Sequence, residues 1–248
     1  MFLATRTLGV LFCAFLVLGM ARARAAGKGG EHGFLDRVYK DADGKEAKYV
    51  LFVPHAYKGD KPYPVILFLH GSGESGTDGH RQAEVGIGPA IRKREQMFPF
   101  ITVFPQSQKR TWRADSADAK RALAILEEVQ KQYRTDPKRV YLTGLSMGGY
   151  GTWSLAAKYP DRWAAIAPIC GGGDPKQADR MKDIPCWCFH GGADPVVPVR
   201  LAHDMMKALW DAGGHPNYTE YPGVGHNSWD KAYATDDLYE WFLHCERK

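Results

Sequence analysis

The chain has 248 residues, 44% of them hydrophobic and 25% charged, with a formal net charge of +5 at pH 7. That balance is ordinary for a globular protein. The length suits one α/β domain or two small ones, with a core that needs neither disulfides nor metal to be stable. No block of Lys and Arg stands out in the body of the chain, which argues against nucleic acid or an anionic membrane as a partner.

The first 25 residues read as a signal peptide. Arg6 precedes an apolar stretch from Leu8 to Met20, and Ala23-Arg24-Ala25 fits the A-x-A cleavage rule. The stretch is short for a bilayer span of about 20 residues. Cys13 lacks the small-residue context of a lipoprotein site, so no stable membrane anchor is expected. Removing Arg6, Arg22 and Arg24 lowers the formal charge to +2. The expected mature protein is a single catalytic domain, residues 26–248, secreted or periplasmic, acting as a monomer.

Two strands, "GFLDRVYK" and "AKYVLFVP", flank the turn at Asp43-Gly44 and predict an opening hairpin. "YPVILFLH" is continuously apolar, as a strand buried on both faces should be. A short helix is expected within "AEVGIGPAIRKREQ", then a strand at "FITVFPQ". "SADAKRALAILEEVQKQY" is a clear helix, with Ala122, Ile125, Leu126 and Val129 on one face and Ser116 as its cap. Strands follow at "RVYLTGLS", "WAAIAPIC", "IPCWCFHG" and "PNYTEYPG". Helices are expected at "GGYGTWSLAAKYP", "VRLAHDMMKALWDAG" and, as one element, "SWDKAYATDDLYEWFLHC". Alternating strands and helices predict a mostly parallel sheet covered on both sides. Cys186 and Cys188 fall on one face of a strand and read as buried thiols, while a pairing for Cys170 stays open.

Gly71, Gly73 and Gly76 spell G-x-G-x-x-G after the first buried strand, the spacing of a dinucleotide-binding loop. Its context fails. Thr77-Asp78-Gly79-His80 does not open a helix, and the next strand ends Phe104-Pro105-Gln106 without the acid that would hold a ribose.

Gly144-Leu145-Ser146-Met147-Gly148 is G-x-S-x-G between a strand and a small-residue helix, a setting that lifts a serine hydroxyl above the sheet. A nucleophilic serine needs a base and a group to orient that base. In chain order these are Asp194, in the loop after "CWCFHG", and His226, in the loop after the last strand. Asp174, Asp183, His190, His203, His215 and His244 fit less well by position. The amide of Met147 and one from Ser72 or Gly73 are the expected oxyanion donors, which gives the early glycines their purpose. Trp112 and Trp229 are candidates for lining the substrate cleft, with ordinary packing as the alternative; Trp153 reads as core.

On the stretches "LFLHGSGESG", "FPQS" with Trp112 shortly after, "DPKRVYLTGLSMGGYGTW", "FHGGADPVVP" and "YPGVGHNSW", the chain resembles the α/β-hydrolases. It is most similar to exported esterases of the polyhydroxybutyrate-depolymerase and feruloyl-esterase-like group, whose predicted-peptidase label reflects kinship with prolyl oligopeptidase catalytic domains. The resemblance implies an α/β-hydrolase fold, a Ser–Asp–His triad, no cofactor and no metal. Only Gly171 to Asp183 separates two consecutive strands, so no cap domain is expected and the site should be open to an accessible ester, a short acyl or aromatic acyl group, including one on a carbohydrate. Acyl transfer or peptide cleavage by the same triad, and a non-catalytic carbohydrate-binding homologue, are the alternatives.

Overall fold

In the computed structural model the described residues are 30–247, so the expected signal peptide lies outside them. Strands β1 (Gly33–Lys40) and β2 (Glu46–Val53) form the opening hairpin, with Gly44 in its turn at φ +80°. They join β3 (Tyr63–Leu69), β4 (Ile101–Pro105), β5 (Thr135–Leu145), β6 (Ala165–Ile169), β7 (Trp187–Gly191) and β8 (Asn217–Tyr221). One sheet of 8 strands results, in the order β1-β2-β4-β3-β5-β6-β7-β8. β2 pairs antiparallel with both β1 and β4, and every later pairing is parallel. This is the mostly parallel sheet that the alternating pattern predicted, in the α/β-hydrolase architecture that the resemblance implied.

Helices cover both faces because the central strands are apolar on both. Along β3, Val65, Leu67 and Leu69 belong to one core, while Ile66 and Phe68 face the other. The first core is closed by α2 (Ala117–Gln132), α3 (Met147–Lys158) and α4 (Arg200–Asp211), through Leu126, Trp153 and Met205 among others. The second is closed by α1 (Ile87–Lys93), α5 (Trp229–Ala234) and α6 (Asp236–His244), through Ile91, Tyr233 and Phe242. Ser116 caps α2 by accepting the Ala119 amide at 3.1 Å.

Two elements depart from expectation. The last helix is split at Thr235, which is extended at φ −79° and ψ 118°. The break lets Tyr233 reach Thr143 at 2.9 Å while Phe242 stacks on Tyr141 at 4.8 Å between ring centres. A straight helix would not serve both contacts. The helix expected over residues 83–96 contracts to Ile87–Lys93, behind Gly86 at φ +62°. Between β6 and β7 the chain makes a 3-10 helix, Pro175–Arg180, and no α-helical cap.

β4 lies on one side of β3 and β5 on the other, so the loops leaving β3 and β5 diverge above the middle of the sheet. Open α/β sheets hold their sites in such crevices. Cys170, Cys186 and Cys188 are buried and Cys245 is half-buried, all as free thiols. No helix among the described residues is long and apolar enough to cross a membrane.

Candidate active site

β5 hands over to α3 at Ser146, whose backbone sits at φ 52° and ψ −118°. A non-glycine residue held there costs about 1–3 kcal/mol, a cost the surrounding structure must meet. The Ser146 amide donates to the Ile169 carbonyl at 3.0 Å, tying the turn to the end of β6. Gly148 explains the final glycine of the motif. A Cβ there would lie 1.9 Å from the Leu69 carbonyl oxygen and 2.8 Å from that of His70, so only a bare Cα lets the turn sit against β3. Among the described residues, the non-glycine residues at positive φ are Arg110, Ser146 and Cys170. Arg110 borders the same hollow as Ser146, and Cys170 follows Ile169.

The structure brings Ser146, Asp194 and His226 together from three separate loops. His226 Nε2 is 2.9 Å from Ser146 Oγ, and His226 Nδ1 is 2.7 Å from Asp194 Oδ2. Asp194 Oδ1 accepts the amides of Val196 at 2.8 Å and Val197 at 2.9 Å. Burial pushes the Asp194 carboxyl up, but the bonds from His226 and these two amides outweigh it and hold the group below the usual carboxylate range. An ionised Asp194 requires Nδ1 of His226 to carry a proton, which leaves Nε2 free to accept from the Ser146 hydroxyl. His190, fully buried on β7, donates from Nε2 to the Val197 carbonyl at 2.9 Å and lies 3.3 Å from Asp194 Oδ2.

Cys170, Asp194 and His226 have potential ligand atoms that all lie within 4.8 Å of one another. Burial pushes the Cys170 thiol up to about 12, and Asp194 and His226 are already engaged with each other and with Ser146.

The loop after β3 carries Ser72 and Gly73. Ser72 opens a 3-10 helix, Ser72–Glu74, and Met147 opens α3. The first amides of a helix have no acceptor within it, so both turns present free donors. The supports of this loop escaped the sequence reading. His70 is fully buried and neutral, burial lowering it to about 4. Its Nδ1 donates to the Gly71 carbonyl at 2.6 Å, and its Nε2 accepts the Ser107 amide at 2.9 Å. Ser107 Oγ donates to Asp118 Oδ2 at 2.6 Å, and the Lys109 amide donates to the same oxygen at 2.7 Å. Asp118, only 1% exposed in the first turn of α2, thereby anchors the segment after β4. An acid in the first turn of a helix is visible in the sequence, but its burial and its partners are set by the tertiary fold.

Trp112 is 1% exposed, and its indole N–H donates to the His70 carbonyl at 3.0 Å. It borders the hollow as part of the wall beneath it; packing is its main work. Trp229 stands edge-on to His226, with ring centres 5.3 Å apart and an interplanar angle of 88°. Trp153 is core. Ser146 opens into a hollow of about 300 Å³ bounded by Arg110, Thr111, Arg113, Met147 and Tyr150. A larger one of about 520 Å³ adjoins it across Arg113 and Tyr150, floored by Trp153 and Met181. Asp174, weighed as a rival acid, lies on its wall and caps the 3-10 helix by accepting the Lys176 amide.

The dienelactone hydrolase family model matches residues 45–234. The chain is 27% identical over 166 residues to a bifunctional acetylxylan esterase/xylanase of Neocallimastix patriciarum, covering 64% of this chain and 24% of that protein. It is 26% identical over 211 residues to a probable feruloyl esterase C of Aspergillus oryzae, covering 83% and 76% respectively. Among solved structures, a thermostable esterase superposes with a TM-score of 0.80 at 36% identity, covering 86% of this chain and 63% of that one. The chain thus spans about a quarter of the bifunctional relative and under two thirds of the thermostable esterase.

Proposed function

The chain belongs to the dienelactone hydrolase family, and from that premise we propose that it is an exported serine esterase acting through Ser146, His226 and Asp194. The observation that carries the reading is the unbroken run of hydrogen bonds from Asp194 through His226 to Ser146. His226 Nε2 takes the hydroxyl proton as Ser146 Oγ forms a bond to the ester carbonyl carbon. Asp194 steadies the imidazolium without taking its proton. The Met147 amide and one from Ser72 or Gly73 stabilise the oxyanion. Collapse of the intermediate breaks the bond to the alcohol, which leaves with the proton from His226. Water, deprotonated by the same imidazole, then releases the acid.

The substrate is a short or aromatic acyl ester, including one carried on a carbohydrate. Two observations support this. No α-helical cap covers the crevice among the described residues, and the adjoining hollow offers the exposed ring of Tyr150 with a polar rim of Arg113, Asp115, Lys158 and Gln177. The likeness to feruloyl and acetylxylan esterases points the same way. A fluorophosphonate probe should label the wild type and fail to label Ser146→Ala. Turnover of p-nitrophenyl acetate should fall by at least about a thousandfold in that variant. Unchanged turnover would overturn the proposal.

A further inference from the structure

Gln106, the residue after β4, is 4% exposed and commits its whole amide to the loop that carries Ser72 and Gly73. Its Oε1 accepts the Gly79 amide at 2.8 Å. Its Nε2 donates to the Glu74 carbonyl at 2.9 Å and to Asp78 Oδ2 at 3.0 Å. Glu74 closes the 3-10 helix that Ser72 opens. The neighbouring Ser107 adds two bonds, donating its amide to His70 Nε2 and accepting the Gly76 amide, each at 2.9 Å. Two adjacent residues therefore tie the loop at His70, Glu74, Gly76, Asp78 and Gly79.

The loop needs such a tie. It holds Gly71, Gly73 and Gly76, and a Cβ placed on Gly73 would meet nothing within 4 Å. Glycine-rich backbone without side-chain anchors is entropically free. Oxyanion donors, by contrast, must stand about 2.7–3.1 Å from the developing charge. Resting on the esterase reading, we propose that Gln106 is a positioning residue, a buried amide that fixes the Ser72 and Gly73 amides for the oxyanion without touching the reacting atoms.

The test uses Gln106→Ala and Gln106→Glu in the full chain, with p-nitrophenyl butyrate as substrate and a trifluoromethyl ketone as oxyanion-forming inhibitor. A misplacement of about 1 Å costs on the order of a hundredfold in rate. For Gln106→Ala, kcat should fall about ten- to a hundredfold on that scale, with KM within about twofold and the ketone weakened by the factor lost in kcat. In Gln106→Glu a carboxyl would face Asp78, which the amides of Arg81 and His80 keep ionised against the effect of burial. The like charge raises the pKa of the new carboxyl, and its protonated form can donate again. The ratio of Gln106→Glu to wild-type kcat should therefore rise as pH is lowered from about 8 to about 5.5, within the range set by such a shift. That ratio is read on folded protein and holds even where Gln106→Ala does not fold. A flat ratio overturns the proposal. So does a kcat retained within twofold, or a kcat loss with no weakening of the ketone. Ser146→Ala separates the two readings. If it remains active, the esterase assignment fails; if it is dead while both Gln106 variants are fully active, only the positioning role fails.

Discussion

His190 Nε2 lies 3.3 Å from Asp194 Oδ2, the oxygen that His226 Nδ1 also engages at 2.7 Å. One carboxylate oxygen thus faces an imidazole on each side, while His190 donates its Nε2 proton to the Val197 carbonyl at 2.9 Å. His190→Phe keeps the volume and removes the donor. His190 holds the Asp194 loop through the Val197 carbonyl, and such a neutral hydrogen bond is worth about 0.5–1.5 kcal/mol, so kcat/KM should drop severalfold, to about tenfold at most. His190→Gln, which keeps a donor, should recover part of the loss in the same steady-state assay.

Asp194→Asn should be far more severe. The amide can present a donor to His226 Nδ1, which favours the tautomer whose Nε2 cannot accept the Ser146 proton. The corresponding change in a Ser-His-Asp protease costs about ten-thousandfold in kcat. Circular dichroism should show an intact fold, because Asn retains an acceptor for the Val196 and Val197 amides.

His70 makes stability depend on pH. Its folded-state pKa, lowered by burial from 6.5 to about 4, lies below that of the unfolded chain. Between those values the unfolded chain binds a proton that the folded chain refuses. Stability is therefore whole above pH 6.5 and declines as pH falls toward about 4, by about 3 kcal/mol across the window. Urea midpoints measured through that range should show the decline, and His70→Asn should be less stable at neutral pH but flatter.

Gly148→Ala is expected to prevent folding or to destabilise by more than about 3 kcal/mol, since overpacking against backbone has no flexible neighbour to absorb it. The added Cβ would meet the Leu69 oxygen at 1.9 Å. Thermal denaturation checks this. A melting temperature within a few degrees of the wild type would contradict it.

The elements legible in the sequence were those whose apolar pattern is local. β3 reads as a buried strand because five consecutive residues, Val65 to Leu69, are apolar and alternate between two cores. Ser116 and the stripe Ala122, Ile125, Leu126 and Val129 announce α2 in the same way. Ser146, Asp194 and His226 were legible as a set because each follows a strand in the expected order; their distances were not. Thr235 shows why a local pattern can mislead. Residues 228–245 carry a helical period throughout, yet the contacts of Tyr233 with Thr143 and of Phe242 with Tyr141 need a bend between them. Gln106 and His70 were passed over for a related reason. A buried polar side chain is defined by its partners, and apart from the Gly71 carbonyl beside His70 those lie 27 to 37 residues away in the chain.

The close seat of Gly148 on Leu69 and His70 has a consequence for engineering. With no side chain between them, the turn at Ser146 and the glycine loop form a single floor that cannot be remodelled piecemeal. The rim is different: beyond Trp112, which is anchored to the His70 carbonyl, the segments Arg113 to Asp115 and Asp174 to Gln177 border the larger hollow from outside that floor. Swapping those rim segments is the route by which preference for one acyl or alcohol group could be exchanged for another while the chemistry beneath stays as it is.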